Sequence, residues 1–319
     1  MSKGLVLVTG PDGLLGSNLI RRLLANGYSV RAFVHPASKA KTLVDLPIEL
    51  FKGDVMDPEA LMQAMEGCYA VVHAAALTDV WPSRSARVRK VNIEGTRNVV
   101  QAALHHNIHK LVYIGSASSA EISPESASLR LDYIDSKQRA LDVVMQATRE
   151  QGLRAVGILP TFMIGPYDAL PSSGKLMLAF IQGRLRYATK GGRNFVHVHD
   201  VCDAIINGIE SDISGRSFVA GNINLTYWDF LSRVSDVLHV PAPSGRMPNS
   251  LVKLAGAAGS MIGKITGRKP MLSYDMACIS CENQFIQNVS AVSGLHMPQT
   301  DINVAIQDCY NWFRKEGYC

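Results

Sequence analysis

Apolar runs and amphipathic stretches alternate along the first half of the chain. Six apolar runs predict strands: "KGLVLVTG", "YSVRAFVH", "IELFKGD", "YAVVHAAA", "HKLVYIGSAS" and "LRAVGIL". Most of the stretches between them have helical spacing, and the first ends at Asn26-Gly27, a helix-stop signal. Because right-handed crossovers join such elements into a parallel sheet, the pattern predicts an α/β fold with a doubly wound, Rossmann-like sheet.

The alternation loosens after Pro160, where proline and glycine turns separate short strands and helices. We therefore expect a dinucleotide-binding domain over residues 1–160. A smaller, mainly C-terminal substrate lobe is expected over most of residues 161–319, and a segment near 194–212 is expected to return to the first domain.

Composition narrows the classes of partner. The chain has 319 residues, of which 47% are hydrophobic, enough for a sizeable core. Its formal net charge of +5 comes from basic residues interspersed with acidic ones. No nucleic-acid-binding stripe is therefore expected, and the partner is expected to be a small molecule.

Cysteine usage and hydropathy indicate the compartment. Cys278 and Cys281 form a lone CxxC, which favours reduced thiols over a zinc site, and no metal is expected. The longest mostly apolar stretch, residues 251–265, contains Lys253 and Lys264 and is too short to span a bilayer. With no signal-peptide pattern, we expect a cytoplasmic protein without a transmembrane segment.

Three glycines, Gly10, Gly13 and Gly16, lie between the first predicted strand and helix. In such a turn Gly10 adopts a positive φ, and Gly13 lets the backbone approach a pyrophosphate. Gly16 is expected to let the helix pack against the strand, while the helix N-terminus offers N–H groups to the phosphates. An ordinary strand-to-helix turn is the alternative interpretation, and the flanking elements favour dinucleotide binding.

With Thr9 before it, the glycine loop resembles the TGxxGxxG loop of the extended short-chain dehydrogenases/reductases, in the NAD-dependent epimerase/dehydratase superfamily. "FKGDVMD", "HAAA", "VNIEGTRNVV", "FVHVHDVCDAI" and "NWFRKEGY" resemble further motifs of the dihydroflavonol-reductase and 3β-hydroxysteroid-dehydrogenase branch. The resemblance implies that Asp54 contacts the adenine and that Val55 packs on it. It implies the following cofactor-binding residues: Thr9, Gly10, Gly13, Leu14, Leu15, Gly16, His35, Asp54, Val55, Ala74, Ala75, Ala76, Asn92, Tyr133, Lys137 and Pro160.

The stretch "YIDSK" carries the candidate chemistry. Tyr133 and Lys137 are four residues apart and share one helix face. A lysine ammonium beside a phenol is expected to lower the tyrosine pKa, and such a tyrosine exchanges a proton with a hydroxyl while hydride moves at the same carbon. A surface tyrosine–lysine pair is the alternative, and the resemblance favours the catalytic one. It also implies Ser116 as the third catalytic residue, orienting the substrate oxygen, with Ser118 as its competitor.

Three histidines, His73, His197 and His199, are expected to be structural or surface residues. The distance along the chain from Ser116 to Tyr133 is short for this branch. We therefore expect an unusually open rim around the active site.

The substrate side departs from the pattern of nucleotide-sugar epimerases. In "LPTFMIGP", Leu159 and Phe162 stand where the resemblance would place an arginine and an asparagine. Apolar side chains cannot donate hydrogen bonds to a diphosphate, so they favour an apolar substrate. Arg193 stands where epimerases keep a phosphate-binding arginine. The expected substrate-binding residues are Ser116, Ser118, Phe162 and Arg193.

The favoured activity is that of an NAD(P)-dependent oxidoreductase. It would transfer a hydride to or from a carbonyl or secondary alcohol on a fairly apolar small molecule. A nucleotide-sugar epimerase and a non-catalytic dinucleotide-binding sensor or scaffold remain alternatives.

The choice of cofactor depends on the end of the second strand. An NAD enzyme normally has an acidic residue there that binds the ribose 2′-OH, and this chain has His35 instead. With Arg31, Lys39 and Lys41 nearby, NADP(H) is favoured modestly over NAD(H), although Asp12 in the glycine loop counts against it.

The resemblance also implies a homodimer, in which the helices at 85–107 and 133–151 pair across a dimer axis. The apolar residues expected on this face are Val99, Val100, Leu104, Leu141 and Val144.

Overall fold

The computed structural model describes residues 2–120 and 131–319. Its strands are β1 (Leu5–Thr9), β2 (Ser29–Val34), β3 (Glu49–Lys52), β4 (Ala70–His73), β5 (Lys110–Ile114), β6 (Ala155–Pro160), β7 (Phe162–Ile164), β8 (Tyr187–Ala188), β9 (Gly192–His197), β10 (Arg216–Ala220), β11 (Ile223–Thr226), β12 (Gly245–Arg246) and β13 (Asn283–Gln284). Its helices are α1 (Leu14–Ala25), α2 (Pro58–Met65), α3 (Ala86–His105), α4 (Ala117–Ala120), α5 (Asp132–Gln151), α6 (Gly174–Ile181), α7 (Val198–Glu210), α8 (Tyr227–Leu238), α9 (Asn249–Thr266), α10 (Tyr274–Ser280), α11 (Ser290–Leu295) and α12 (Ile302–Lys315).

Seven parallel strands form the main sheet, in the order β10-β6-β5-β4-β1-β2-β3. Strands β4, β5 and β6 are buried along their whole length, as expected of a parallel sheet covered by helices on both faces. The α/β fold with a doubly wound, Rossmann-like sheet is therefore confirmed. The seventh strand, β10, has no counterpart among the six predicted strands.

Two helical layers cover the sheet. Helices α1 and α7 pack together on one face, and α2, α3 and α5 pack on the other. Local signals set the helix starts: the Asp57 side chain accepts hydrogen bonds from the N–H groups of Glu59 and Ala60 at the start of α2, and Pro58 occupies the first helical position.

A second unit lies beyond the sheet. Strands β11, β9 and β13 form a small sheet to which β7 adds, and α6, α8 and α12 enclose a separate apolar core with it. Strands β8 and β12 pair, and α9 packs on α10. Two elements from the second half of the chain join the main sheet and its helices. Helix α7 (residues 198–210) packs on α1, and strand β10 (residues 216–220) pairs with β6. The bounds given above for the two domains stay a prediction.

The apolar side chains proposed for a dimer face point inward. Val99, Val100, Leu141 and Val144 are buried in the core between the sheet and the helices α3 and α5, and Leu104 packs against that core. The outer groove between the two helices is lined by charged side chains around Ile93 and Val143. These side chains are Arg89, Lys90, Glu94, Arg97, Arg139 and Asp142.

In the part of the chain that the structure describes, no helix has both the length and the apolar character needed to cross a membrane.

Candidate active site

The glycine loop follows β1 at the carboxyl edge of the sheet, where the strand order reverses between β1 and β4. Gly10 has a φ of +66°, and a Cβ on it would lie 2.8 Å from the backbone nitrogen of Ala75. Gly13 is the N-cap of α1, and a Cβ on it would meet only the Gly10 carbonyl oxygen, at 3.7 Å. A Cβ on Gly16 would collide with that same oxygen and with Pro11.

These contacts give the three glycines different roles. The side of Gly13 that would carry a Cβ is open, so the N–H groups at the start of α1 can receive an anionic group such as a pyrophosphate. The residues present therefore fit a dinucleotide. The expectation for Gly16 needs a correction: it lets α1 pack against its own preceding turn rather than against β1, because the nearest atoms belong to that turn.

The adenosine end of the predicted site lies where β2 and β3 end. The Ser38 hydroxyl donates a hydrogen bond to the Asp12 carboxylate, and His35 Nε2 lies 3.5 Å from Asp54 Oδ2. Arg31, expected near the cofactor, lies elsewhere. Its guanidinium pairs with a carboxylate of β3 and donates to two backbone carbonyls at the end of α2, so it is held away from the loop.

Other predicted cofactor residues lie along the same edge of the sheet. Leu14 and Leu15 are buried at the start of α1, and Val55 packs against Gly95 of α3, where a Cβ on that glycine would lie 2.8 Å from Val55 Cγ2. Pro160 ends β6. Three half-buried residues follow β4: Ala74, Ala75 and Ala76.

A chain of buried hydrogen bonds connects the glycine loop to α3. The Ala75 N–H donates to Thr9 Oγ1 (3.1 Å), whose hydroxyl donates to His73 Nδ1 (2.8 Å). Thr96 donates to the Asn92 carbonyl (2.7 Å) and therefore accepts from His73 Nε2 (3.0 Å). Burial, followed by the charge of Lys137, lowers the pKa of His73 to about 3. His73 is thus a neutral ring with both nitrogens used, as the expectation of a structural role requires.

The Asn92 side chain extends this series of hydrogen bonds towards α5. Asn92 accepts a hydrogen bond from Leu77 N–H (2.8 Å) and donates to the Leu77 carbonyl (3.0 Å) and to Ser136 Oγ (2.9 Å). Ser136 in turn donates to the Tyr133 carbonyl (2.8 Å). The first turn of α5 is therefore fixed to the segment after β4. Sequence analysis did not select Ser136, although its place beside Lys137 was a usable signal.

The three candidate catalytic residues come together between β5 and α5. The Ser116 side chain lies close enough to the Tyr133 hydroxyl to act on its pKa. Lys137, which is 4% exposed, donates from Nζ to the Ile114 carbonyl, and its Nζ lies 4.8 Å from the Tyr113 ring centroid. The tyrosine, the lysine and the serine thus surround the carboxyl end of β5.

Ser118, the alternative to Ser116, lies on the short helix α4 and is half-buried. The turn that carries it is fixed by its neighbour, because Ser119 donates through N (3.0 Å) and Oγ (2.7 Å) to the Ser116 carbonyl. Of the two serines, Ser116 is the one whose side chain acts on the pKa of Tyr133. The expected open rim falls on residues 121–130, outside the described residues.

The expected lowering of the Tyr133 pKa by Lys137 is wrong for this structure. Burial is the largest effect and raises the pKa of Tyr133, while the Ser116 hydrogen bond and the charge of Arg193 act in the opposite direction. Burial also lowers the pKa of Lys137 to about 7. The lysine proton is directed at the Ile114 carbonyl, so the helical spacing brings the two groups to one face without a direct contact.

The substrate side contains one cation among aromatic rings. Arg193 Nε donates to the Tyr227 hydroxyl (2.9 Å), and its guanidinium carbon lies 5.5 Å from the Phe162 ring centroid. Phe162 packs edge-on against Phe195, at 5.3 Å between centroids. The Arg193 charge acts on the pKa of Tyr133, so this cation lies within electrostatic reach of the candidate catalytic tyrosine. Tyr227 is a further residue that sequence analysis did not select.

The other two histidines form a cluster with Asp308. His197 Nδ1 accepts a hydrogen bond from His199 N–H (3.0 Å), so its proton lies on Nε2 and is donated to Asp308 Oδ2 (3.1 Å). His199 Nε2 lies 3.0 Å from the Asn18 side-chain oxygen. His197 thus links the end of β9 to α12, and His199 links α7 to α1, which is a structural use of both rings.

Comparison with known families decides the identity. Residues 6–221 match the model of the NAD dependent epimerase/dehydratase family. The chain belongs to this family. Membership in the epimerase/dehydratase family confirms the resemblance drawn from the glycine loop and the later motifs, and the NAD(P)-dependent character of the enzyme follows from it.

Similar proteins extend over nearly the whole chain. A putative dihydroflavonol 4-reductase of Synechocystis sp. is 28% identical over 326 residues, covering 98% of this chain and 95% of that protein. Sterol demethylase protein B of Methylococcus capsulatus is 27% identical and covers 98% of both chains. The crystal structure of gox2253 superposes with a TM-score of 0.84 at 27% identity, covering 98% of this chain and 99% of that one.

Proposed function

We propose that this member of the epimerase/dehydratase family is an NAD(P)-dependent oxidoreductase acting on a carbonyl or secondary alcohol. The observation that carries the proposal is the convergence of Ser116, Tyr133 and Lys137 at the carboxyl end of β5, at the same sheet edge as the open N-terminus of α1. When bound, the nicotinamide supplies or accepts the hydride.

The side chains supply the proton and the orientation. In reduction, the Tyr133 hydroxyl donates its proton to the substrate oxygen as the carbonyl carbon gains hydride; in oxidation the proton returns. Ser116 donates a hydrogen bond to the same oxygen and stabilises its developing charge. Burial keeps Tyr133 protonated in the free protein, which suits a proton donor. Lys137 binds the nicotinamide ribose and supplies the nearby positive charge.

We propose an apolar substrate. Phe162 lies beside Arg193, whose charge acts at Tyr133, and the buried Leu159 occupies the position where the resemblance places the epimerase arginine. Two relatives of nearly full length are named a putative dihydroflavonol 4-reductase and sterol demethylase protein B, and these names refer to a dihydroflavonol and a sterol.

The test is a panel of ketones with polycyclic apolar bodies, assayed by loss of reduced-nicotinamide absorbance. Turnover of at least one apolar ketone, with no interconversion of UDP-sugars, is the expected result. The epimerase alternative is favoured by Arg193, whose charge acts at Tyr133, and interconversion of a UDP-sugar without net change in nicotinamide would support it. Cofactor binding without any redox turnover would support the sensor alternative.

We propose NADP(H) as the cofactor. Exposed His35, Lys39 and Lys41 lie at the end of β2, where a ribose 2′-phosphate would meet positive charge and hydrogen-bond donors. The Asp12 carboxylate is occupied by the Ser38 hydroxyl. The dissociation constants of NADPH and NADH, measured by calorimetry, test this, and tighter binding of NADH would overturn it.

We also propose a cytoplasmic homodimer that pairs α3 and α5 with their counterparts. The outer groove between these helices combines Ile93 and Val143 with charges of both signs, which suits pairing with a second copy across a two-fold axis. Light scattering tests the assembly.

A further inference from the structure

Helix α9 exposes an apolar stripe on the side away from the protein. The stripe comprises Leu251, Leu254, Ala255, Ala258, Met261, Ile262 and Ile265. Spacings of three and four residues place all of them on one helix face. The large side chains are strongly exposed, from 53% for Leu251 to 77% for Ile265. Scattered exposed apolar residues are ordinary, whereas a continuous stripe indicates a partner surface.

The opposite face of α9 fixes the stripe in its outward orientation. A Cβ on Gly256 would lie 2.9 Å from the Ser273 carbonyl oxygen, and one on Gly263 would lie 3.2 Å from Trp81 Cζ2. Val252, on the same side as these glycines, is 2% exposed. Because α9 already packs on α10 through its glycine face, the stripe cannot turn inward without breaking that packing.

The charge of the surrounding segment has one sign. Residues 237–274 contain five lysines and arginines and no aspartate or glutamate. Lys253 and Lys264 lie on α9 itself, and Arg268 follows its end, all three exposed. Beyond the helix, Met271 (86% exposed) and Tyr274 (46% exposed) continue the apolar surface. An amphipathic helix with lysines beside an apolar face is the arrangement that binds the interface of an anionic membrane.

We propose that α9 and the segment up to Tyr274 dock the protein on the surface of a phospholipid bilayer carrying anionic headgroups. The apolar stripe enters the boundary of headgroups and acyl chains, and the lysines and Arg268 contact the headgroups. A second copy of the chain would have to present acidic groups to these cations, whereas the docking segment has none to offer in return. An anionic membrane can both neutralise these cations and bury the apolar stripe.

The position of α9 gives this docking a consequence. Lys269 Nζ pairs with Asp79 Oδ1 at 2.8 Å, and Gly263 lies against Trp81, so the C-terminal end of α9 touches the segment that follows β4 and the cofactor-site alanines. A docked protein would therefore hold the segment that follows the cofactor-site alanines near the bilayer. Supply of an apolar substrate from the lipid phase rests on the proposed function; the docking itself does not.

The experiment is flotation of the full chain with vesicles of phosphatidylcholine, with and without phosphatidylglycerol. We expect binding to the anionic vesicles that weakens with salt. Leu254→Glu and Ile262→Glu should each weaken it roughly tenfold or more, since burying one such side chain is worth at least that factor. Lys253→Gln and Lys264→Gln should each weaken it about fivefold. Val304→Glu, at an exposed position of α12, is the matched control and should bind as wild type does.

Absence of wild-type binding to anionic vesicles would overturn the proposal, and so would unchanged binding of both stripe variants. Loss of a dimer in Leu254→Glu, with no vesicle binding by the wild type, would instead assign the stripe to a contact between copies. Circular dichroism of each variant checks its fold. None of these outcomes depends on turnover, so failure of the docking is distinguishable from failure of the proposed reaction.

Discussion

The buried His73 predicts a specific acid sensitivity of the fold. Its pKa is lowered from the ordinary 6.5 to about 3, chiefly by burial, so the folded protein holds the ring neutral while the unfolded chain protonates it below about pH 6.5. The contribution of His73 to the free energy of unfolding is therefore fully present above about pH 6.5 and is lost progressively as the pH falls towards 3. Between about pH 7.5 and about pH 5, His73 alone should remove about 2 kcal/mol from the free energy of unfolding.

The assay is urea unfolding at both pH values for the wild type, His73→Leu and Thr96→Val. His73→Leu loses the hydrogen bonds to both threonines and is less stable at either pH, but its pH-dependent loss should be about 2 kcal/mol smaller than that of the wild type. Thr96→Val keeps the ring buried and should keep the wild-type pH dependence. An equal pH dependence for the wild type and His73→Leu would refute the argument that the ring is held neutral.

Three further outcomes follow from the same geometry. Gly13→Val should abolish cofactor binding in calorimetry while the melting temperature stays near that of the wild type. Gly16→Val should lower the melting temperature because its Cβ strikes the preceding turn. Equal stability of the two variants would contradict the loop assignment. Lys137→Met should lower turnover by roughly a hundredfold or more, because Tyr133 loses the nearby positive charge and the nicotinamide ribose loses a binding group. Unchanged turnover would exclude these roles of Lys137. Ile93→Glu should convert the proposed dimer to a monomer in light scattering, while a monomeric wild type at micromolar concentration would refute the dimer.

The fold was predictable because its determinants are local. Apolar runs bounded by turns become strands buried on both faces, and a glycine pattern between a strand and a helix specifies the phosphate loop. The pKa of Tyr133 was not predictable, since spacing places Lys137 on the same face but does not reveal how deeply the two groups are buried. The same limit applies to Val99 and Val144, because an amphipathic pattern does not tell whether its apolar face meets the protein's own sheet or a second copy.

The choice between Ser116 and Ser118 likewise depends on three-dimensional geometry. Two serines separated by one residue at the end of a strand are equivalent in a one-dimensional pattern. In the structure Ser116 is the serine whose side chain acts on the pKa of Tyr133, which supports Ser116, and the assignment stays a prediction.

The most direct test of the central claim is the hydride-transfer rate of Tyr133→Phe on an accepted ketone. The substitution keeps the ring and removes only the hydroxyl, so the fold and cofactor binding should survive. Tyr187→Phe, the same change at an exposed tyrosine of β8, is the control and should keep near wild-type turnover. The account predicts a loss of roughly two orders of magnitude or more for Tyr133→Phe, the usual effect of deleting a general acid. Near-full activity of this variant would contradict the assignment of Tyr133 as the proton donor.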